Sequence, residues 1–179
     1  MKVLAICGSP RKGNTEAMLK RVLDGAKSKG AIIELVLLRD RKIEQCEGCD
    51  TCWGTGKGCR VMDEMQPLYG KMFAADAIVF GSPNYFSNYS GLMKVFVDRL
   101  NPYCKPSRFE GKKAAIICVG GQRLQNVKRC ERALRLVVSD LKMELTGSIV
   151  AKVEKPLEIL ENEKVMKKCF ELGEKLAGS

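Results

Sequence analysis

Short apolar segments alternate along this chain with amphipathic segments of helical period, and this alternation restricts the possible folds more than any other feature. Apolar runs of strand length lie at 2–7, 31–38, 77–80, 113–119 and 142–150. Segments with one apolar helical face lie at about 15–29, 61–74, 89–100, 124–139 and 157–177. Strands that alternate with helices predict an α/β fold, namely a doubly wound, five-stranded parallel sheet with helices on both faces.

The 179 residues predict a single domain over 1–179, because this is an ordinary domain length and no linker, repeat or low-complexity tract divides the chain. The main interruption is a polar, cysteine-rich loop at about 43–60. No apolar run approaches the ~18 residues of a membrane span. The short apolar start leads directly into a glycine-rich turn, unlike a signal peptide. We therefore expect a cytoplasmic protein that does not associate with membranes.

The chain is basic, with 31 Lys and Arg against 21 Asp and Glu and a formal charge of +10. A nucleic-acid partner is not expected, because neither a recognisable binding module nor an aromatic-interleaved basic patch is visible. We interpret the excess charge mainly as a solvated surface, consistent with balancing an anionic cofactor. One basic group, at or near the predicted helix 124–139, is a candidate docking face for an acidic carrier protein: Arg123, Lys128, Arg129, Arg132 and Arg135.

Turn-rich segments follow three of the predicted strands, at 8–15, 81–89 and 120–122. In doubly wound sheets, ligands bind beyond the carboxyl ends of the strands. The first segment, GSPRKGNT, matches neither the Walker A nor the GxGxxG pattern. It still gathers hydroxyl, amide and guanidinium donors at a helix start, which is the chemistry of a phosphate site: Ser9, Arg11, Asn14 and Thr15. The alternative is a capped helix start with an exposed arginine.

The chain has nine cysteines and no histidine, so any bound metal would be held mainly by thiolates. Four of the cysteines lie close together, with gaps of two, two and six residues: Cys46, Cys49, Cys52 and Cys59. This spacing favours an iron–sulfur cluster over zinc, which usually takes two separated CxxC pairs. Unoccupied or redox-active thiols remain an alternative. We interpret the other cysteines as small apolar or unreactive side chains: Cys7, Cys104, Cys118, Cys130 and Cys169.

Taken together, the loops resemble those of the flavodoxin-like NAD(P)H-dependent FMN reductase family. Its members carry a Gly-Ser-x-Arg-x-x-x-Asn-Thr loop after the first strand, and segment 8–15 is one residue shorter between Arg11 and Asn14. They also carry a Pro-x-Tyr loop after the third strand, followed by a helix with Lys and Asp-Arg. The counterparts here are Pro83-Asn84-Tyr85-Phe86, Lys94 and Asp98-Arg99.

This resemblance implies that the cofactor is FMN. It assigns the FMN phosphate to Ser9, Arg11, Asn14 and Thr15. It assigns the isoalloxazine ring to Pro83, Asn84, Tyr85 and Phe86 on one side and to Gly120 and Gly121 on the other. Core positions for Tyr85 and Phe86 are the structural alternative, and we interpret Asp98-Arg99 as an ion pair that fixes its helix rather than as catalytic residues.

The cysteine motif within such a chain is similar to that of iron–sulfur flavoproteins of anaerobic archaea and bacteria. That similarity implies a [4Fe-4S] cluster beside FMN, with Cys46, Cys49, Cys52 and Cys59 as ligands. The predicted function is a redox flavoprotein that transfers electrons between a carrier such as ferredoxin and an acceptor through the flavin, with no catalytic side chain assigned. The alternative is a cluster-free NAD(P)H-dependent FMN or quinone reductase. The resemblance also implies a homodimer or homotetramer.

Overall fold

A parallel five-stranded sheet forms the centre of the computed structural model, which describes residues 1–121 and 123–178. The strands are β1 (Lys2–Cys7), β2 (Ile32–Leu37), β3 (Ala77–Tyr85), β4 (Asn88–Tyr89), β5 (Lys113–Gly120) and β6 (Glu144–Lys152). Their order across the sheet is β2-β1-β3-β5-β6, and the two-residue β4 pairs antiparallel with the end of β3. The predicted flavodoxin-like, doubly wound α/β fold is confirmed.

Helices cover both faces of this sheet. They are α1 (Asn14–Ser28), α2 (Met65–Ala74), α3 (Gly91–Asp98), α4 (Leu124–Asp140) and α5 (Glu163–Ala177). The side chains of β1 point alternately to the two faces of the sheet. Leu4 and Ile6 belong to the core beneath α2, α3 and α4. Val3 and Ala5 belong to the core beneath α1 and α5. Burial on both sides explains why the strands are continuously apolar rather than alternating with polar residues.

The strand order reverses at β1, because β2 lies on one side of β1 and the later strands lie on the other. Cys7, at the end of β1, is paired with Leu37 of β2 on one side and with Gly81 of β3 on the other. The segments that follow β1 and β3 therefore leave the sheet side by side and diverge. This opens a crevice at the carboxyl ends of the strands, where ligands bind in folds of this class.

The end of the third strand and the start of the last helix differ most from the sequence prediction. The third strand does not end at Phe80, because Asn84 and Tyr85 continue it by pairing with β4. The last helix begins at Glu163 rather than near 157, since a 3-10 turn occupies Glu158–Glu161 and the Asn162 side chain then accepts a hydrogen bond from the Val165 N–H. Within residues 1–121 and 123–178, no helix combines the length and apolarity needed to cross a membrane.

Helices α1 and α5 approach each other closely enough for their main chains to touch. A Cβ atom added at Gly173 would lie 1.9 Å from the Val22 carbonyl oxygen, and one added at Gly25 would lie 2.0 Å from the Phe170 carbonyl oxygen. Both positions thus require the absence of a side chain. The close approach is what lets α5 pack against α1 over most of its length.

We expect Gly173→Ala to destabilise the protein by about 1–3 kcal/mol, because the added methyl group must push two helices apart. The matched control is Gly70→Ala in α2, where an added Cβ would meet no atom of the described residues within 4 Å. That control should gain roughly 0.5–1 kcal/mol through helix propensity. Urea unfolding monitored by circular dichroism measures both. A Gly173→Ala protein as stable as the control would contradict the proposed main-chain contact.

Candidate functional site

The loops that follow β1, β3 and β5 surround a cleft of about 100 Å³ at the carboxyl edge of the sheet. The structure brings nine of the ten predicted cofactor residues together around this cleft: Ser9, Arg11, Asn14, Thr15, Pro83, Asn84, Tyr85, Gly120 and Gly121. Phe86 is not part of its lining. The third turn segment, 120–122, is seen only as far as Gly121, since position 122 lies outside the described residues.

The loop after β1 presents an anion-binding surface. Its fold depends on Ser9, whose hydroxyl donates a hydrogen bond of 2.7 Å to the Arg11 carbonyl oxygen. Ser9 and Thr15 are buried, whereas the Arg11 side chain is exposed beside them. The first N–H groups of α1 point out of the helix toward the cleft, and a helix N-terminus favours negative charge. This arrangement suits a phosphate group.

Asn14 links the cleft to the end of the sheet in a way that the sequence did not indicate. Its side-chain amide donates to the Lys155 carbonyl oxygen at 2.9 Å, and its side-chain oxygen accepts from the Ile159 N–H at 3.1 Å. The segment after β6 is thereby held against the loop after β1. Val153, Glu154 and Pro156 join the cleft lining as a result. Sequence reasoning missed these residues because no motif marks them.

Asn84 lines this cleft and carries a buried amide. The residue is 8% exposed, and neither its side-chain nitrogen nor its side-chain oxygen has a hydrogen-bond partner among the described residues. An unpaired buried polar group costs ~1–3 kcal/mol. Gly120 lies against it, and a Cβ at Gly120 would come 2.9 Å from the Asn84 Cβ. A bound molecule with both donor and acceptor atoms at this point would satisfy Asn84, so the residues fit a ligand such as a flavin.

The aromatic residues of the second loop are at the surface. Tyr85 is 45% exposed and Phe86 is fully exposed. Phe86 and Ser87 have φ of 48° and 64° at the tip of the β3–β4 ribbon, a left-handed conformation uncommon for side-chain-bearing residues. The interpretation of Tyr85 and Phe86 as core residues is therefore wrong. Phe86 projects beside the cleft rather than into it.

Ser90 joins three loops around the cleft and was not singled out from the sequence. It is the N-cap of α3, accepting a hydrogen bond of 3.2 Å from the Met93 N–H. Its hydroxyl donates to the Gly8 carbonyl oxygen at 2.5 Å, and its N–H donates to the Ser82 hydroxyl at 2.9 Å. The sequence could have indicated this N-cap role, because serine is a preferred residue at the position that precedes a helix.

The four clustered cysteines line a second, smaller cavity of about 50 Å³. Cys46 and Cys49 are exposed, Cys52 and Cys59 are half-buried, and all four are free thiols. Across 1–121 and 123–178, no three His, Cys, Asp or Glu side chains converge closely enough to hold a metal ion. Four thiols are the kind of donor set that binds a soft metal. They line one cavity in this structure but do not form a coordination sphere.

The thiols of this cavity differ in their electrostatic surroundings. Hydrogen bonds from the hydroxyl and N–H of Thr51 lower the pKa of Cys49. Burial, followed by the proximity of Cys59, raises the pKa of Cys52. Cys46 and Cys49 also act on Cys52, so the other three thiols all lie within electrostatic reach of Cys52. Trp53 lines the same cavity but is half exposed, so it covers the thiols only in part.

The predicted Asp98-Arg99 ion pair is wrong. Asp98 instead pairs with Lys94 one helical turn earlier, on the exposed side of α3. The Arg99 side chain is buried and pairs with Asp63, at 2.6 Å between Nη1 and Oδ2. Burial alone would raise the pKa of Asp63, but hydrogen bonds from Arg99, Glu44 and Met65 outweigh it and lower the pKa. Neighbouring residues in sequence thus take part in two separate ion pairs.

Four of the remaining cysteines are buried, as interpreted from the sequence: Cys7, Cys118, Cys130 and Cys169. Burial raises the pKa of Cys7 to about 11, which keeps this thiol protonated. Burial also raises the pKa of the half-buried Cys104. A thiol with a raised pKa forms little nucleophilic thiolate, so the unreactive interpretation holds for Cys104 as well.

Comparisons with known proteins agree with this geometry. The profile of a family described as NADPH-dependent FMN reductase matches residues 1–155. An iron-sulfur flavoprotein of Methanocaldococcus jannaschii is 35% identical over 124 residues, which are 69% of this chain and 64% of that protein. An iron-sulfur flavoprotein of Archaeoglobus fulgidus is 43% identical over 100 residues, 55% of this chain and 48% of that protein. The matched regions thus span about half to two thirds of these relatives.

Solved structures share the fold at lower identity. A flavone reductase superposes with a TM-score of 0.78 at 23% identity, covering 99% of this chain and 62% of that one. An NAD(P)H:quinone oxidoreductase from Methanothermobacter marburgensis superposes with a TM-score of 0.74 at 19% identity, covering 100% of this chain and 97% of that one. Similarity at this level supports the architecture alone.

We expect Glu16→Gln to destabilise the fold at neutral pH. Glu16 lies buried in the first turn of α1, where it pairs with Lys20 at 2.7 Å and Arg39 at 2.9 Å. Burial alone would raise the pKa of Glu16, but these two cations outweigh it and lower the pKa. Removing the charge should cost about 1–3 kcal/mol at pH 7.

This difference between the wild type and Glu16→Gln should disappear under acid conditions. A carboxylate with a lowered folded-state pKa adds stability above its unfolded pKa of about 4.3, and loses it as the pH falls through the folded value. Urea unfolding at pH 7 and at a series of lower pH values follows this loss. The control is Glu163→Gln, an exposed carboxylate in the first turn of α5. Equal losses for the two variants at pH 7 would contradict the role of the buried pair.

Proposed function

This chain belongs to the NADPH-dependent FMN reductase family, and from that premise we propose that it is a redox flavoprotein that binds FMN in the cleft beyond β1, β3 and β5. The buried, unpaired amide of Asn84 is the observation that carries this proposal. It lies where the family's ring-binding loop would meet a flavin, and flavin ring edges present both donors and acceptors. FMN supplies one- and two-electron redox chemistry when bound.

The phosphate end of the cofactor would bind at the loop after β1. There Thr15 and the first N–H groups of α1 would supply hydrogen-bond donors, and Arg11 would supply a positive charge. The Ser9 hydroxyl already donates to the Arg11 carbonyl oxygen and would instead shape the loop. Asn14 would support the loop rather than bind the phosphate, because its side-chain amide is already bonded to the segment after β6. Its role would be to hold the cleft walls together rather than to contact the phosphate through its side chain.

The ring end would lie between the loops after β3 and β5. Pro83, Asn84 and Tyr85 line one side, and Gly120 and Gly121 allow a flat ring to approach the main chain on the other. Phe86 would not line the ring in this arrangement and would instead border the entrance. The chain has no histidine, and electron transfer through a flavin requires no side-chain general base.

We further propose that Cys46, Cys49, Cys52 and Cys59 hold a [4Fe-4S] cluster. Their position around one cavity supports this, as do relatives whose names describe iron-sulfur flavoproteins. Four thiols of this kind ligate clusters that carry single electrons. The exposed basic residues of α4 would then dock an acidic carrier such as ferredoxin, and the chain would work as a homodimer or homotetramer, as its family resemblance implies.

The alternative function is an NAD(P)H-dependent FMN or quinone reductase without a cluster. The NADPH dependence in the family's description favours it, and so does the lack of a converged thiol set among the described residues. The two functions differ in their electron donor. Rapid bleaching of bound flavin by NADPH, with no iron present, would identify the reductase.

We expect Arg11→Ala to lower the affinity for FMN about tenfold, because a charge-assisted contact to the phosphate is lost. The affinity for riboflavin, which lacks the phosphate, should change less than about twofold. The control is Lys12→Ala, a neighbouring exposed cation that lines a different surface depression. Flavin fluorescence titration measures these affinities. Equal losses for FMN and riboflavin would show that Arg11 does not act on the phosphate.

Protein purified without oxygen should contain about four iron and four sulfide per chain, together with FMN. Cys52→Ala should lose the iron and keep the FMN, since Cys52 is a proposed ligand that does not line the flavin cleft. Cys104→Ala, a half-buried cysteine outside the cavity, should keep both. Metal analysis and absorption spectra measure these contents. Flavin without iron in the wild type would refute the cluster and favour the reductase.

A further inference from the structure

Arg99 is a buried cation that follows α3 directly, and its side chain has no exposed surface. The guanidinium makes four hydrogen bonds. Nη1 donates to Asp63 Oδ2 at 2.6 Å and to the Glu44 carbonyl oxygen at 2.8 Å. Nη2 donates to Asp63 Oδ1 at 3.1 Å and to the Val61 carbonyl oxygen at 3.0 Å. A bidentate pair with additional main-chain bonds is the geometry in which arginine is not replaceable by lysine.

The two main-chain partners of Arg99 are the two stems of the cysteine loop. Glu44 lies two residues before Cys46, and Val61 lies two residues after Cys59. Asp63 strengthens the same junction, because it also accepts a hydrogen bond of 2.8 Å from the Glu44 N–H. One buried ion pair therefore closes the loop that carries all four thiols. Two further links join the stems. Glu64 bonds to Arg41 and to the Lys42 N–H just outside the loop. Arg60 pairs with Glu47, but both side chains are exposed and the pair contributes little energy.

We propose that Arg99 is the positioning residue of the cysteine loop, holding its two stems together so that the four thiols remain grouped around one cavity before any metal binds. This inference rests on the metal-binding function proposed for these thiols. A loop whose ends are fixed has less conformational freedom to lose on binding, so its ligands bind more tightly. Without Arg99, Asp63 would keep its hydrogen bonds from the Glu44 and Met65 N–H groups but would lose its counter-charge.

The position of Arg99 also relates the loop to the flavin cleft. Helix α3 is capped by Ser90, which is bonded to the Gly8 carbonyl oxygen in the loop after β1, and it ends just before Arg99. Eight residues at a rise of about 1.5 Å make α3 roughly 12 Å long. One helix thus anchors the cleft at its first turn and the cysteine loop at its end. A change at Arg99 should therefore alter the thiol site while leaving the cleft intact.

The test uses the full chain, stripped of metal under reducing and oxygen-free conditions, with Co²⁺ alone as the probe. Thiolate-to-cobalt charge-transfer absorption reports binding. We expect Arg99→Met to lower the Co²⁺ affinity at least tenfold and Arg99→Lys to recover part of that loss. The affinity for FMN should stay within twofold of the wild type in both variants. Glu44→Ala is the matched control, because Arg99 contacts only the main chain of this exposed residue.

Equal Co²⁺ affinity in the wild type and Arg99→Met would overturn the proposal. An equal loss of FMN affinity would overturn it too, since the whole fold would then depend on Arg99. If Arg99→Met does not fold, Arg99→Lys and Asp63→Asn replace it. If the wild type binds no Co²⁺, the metal-binding function is refuted on its own. The rates at which Cys52 and Cys59 are alkylated then test whether Arg99 holds the loop. Rates at least threefold higher in Arg99→Lys would support the proposal, and unchanged rates would overturn it.

Discussion

The parallel pairing of β1 with two neighbours is the constraint on which the rest of the structure depends. β1 lies between β2 and β3, so the chain must leave its carboxyl end in one direction and return to the sheet on the other side. Parallel strands need long crossovers, and each crossover here is a helix or includes one. The loop after β1 and the loop after β3 consequently meet at one edge. The cleft, its donors and its glycines follow from that topology rather than from any single motif.

The sequence predicted the parts of this protein that depend on local pattern. Continuous apolar runs identified the sheet, because strands buried on both faces cannot alternate with polar residues. Turn-rich segments after those runs located the three loops, and the family resemblance supplied the residues within them, nine of which share the cleft. Contacts between distant segments could not be predicted in this way. Asn14 bonds to residues 141 and 145 positions away, and no composition or spacing signals such a contact.

The errors have a common physical origin. Asp98 and Arg99 were paired because they are adjacent, yet consecutive residues at a helix end point in different directions. Arg99 instead finds a partner 36 positions away, in the chain that returns from the cysteine loop. Tyr85 and Phe86 were both predicted to line the ring, but Phe86 lies at the turn between β3 and β4 and is not part of the cleft lining. Tertiary contacts decided each case.

The main-chain contact between α1 and α5 has a consequence for synthesis on the ribosome. The apolar face of α1, including Leu19 and Val22, is covered in part by α5. Because α5 is translated more than a hundred residues after α1, that face stays uncovered while most of the chain emerges. Partly translated chains therefore expose apolar surface of the kind that chaperones bind. Helix α5 thus completes a core whose first helix is translated well before it.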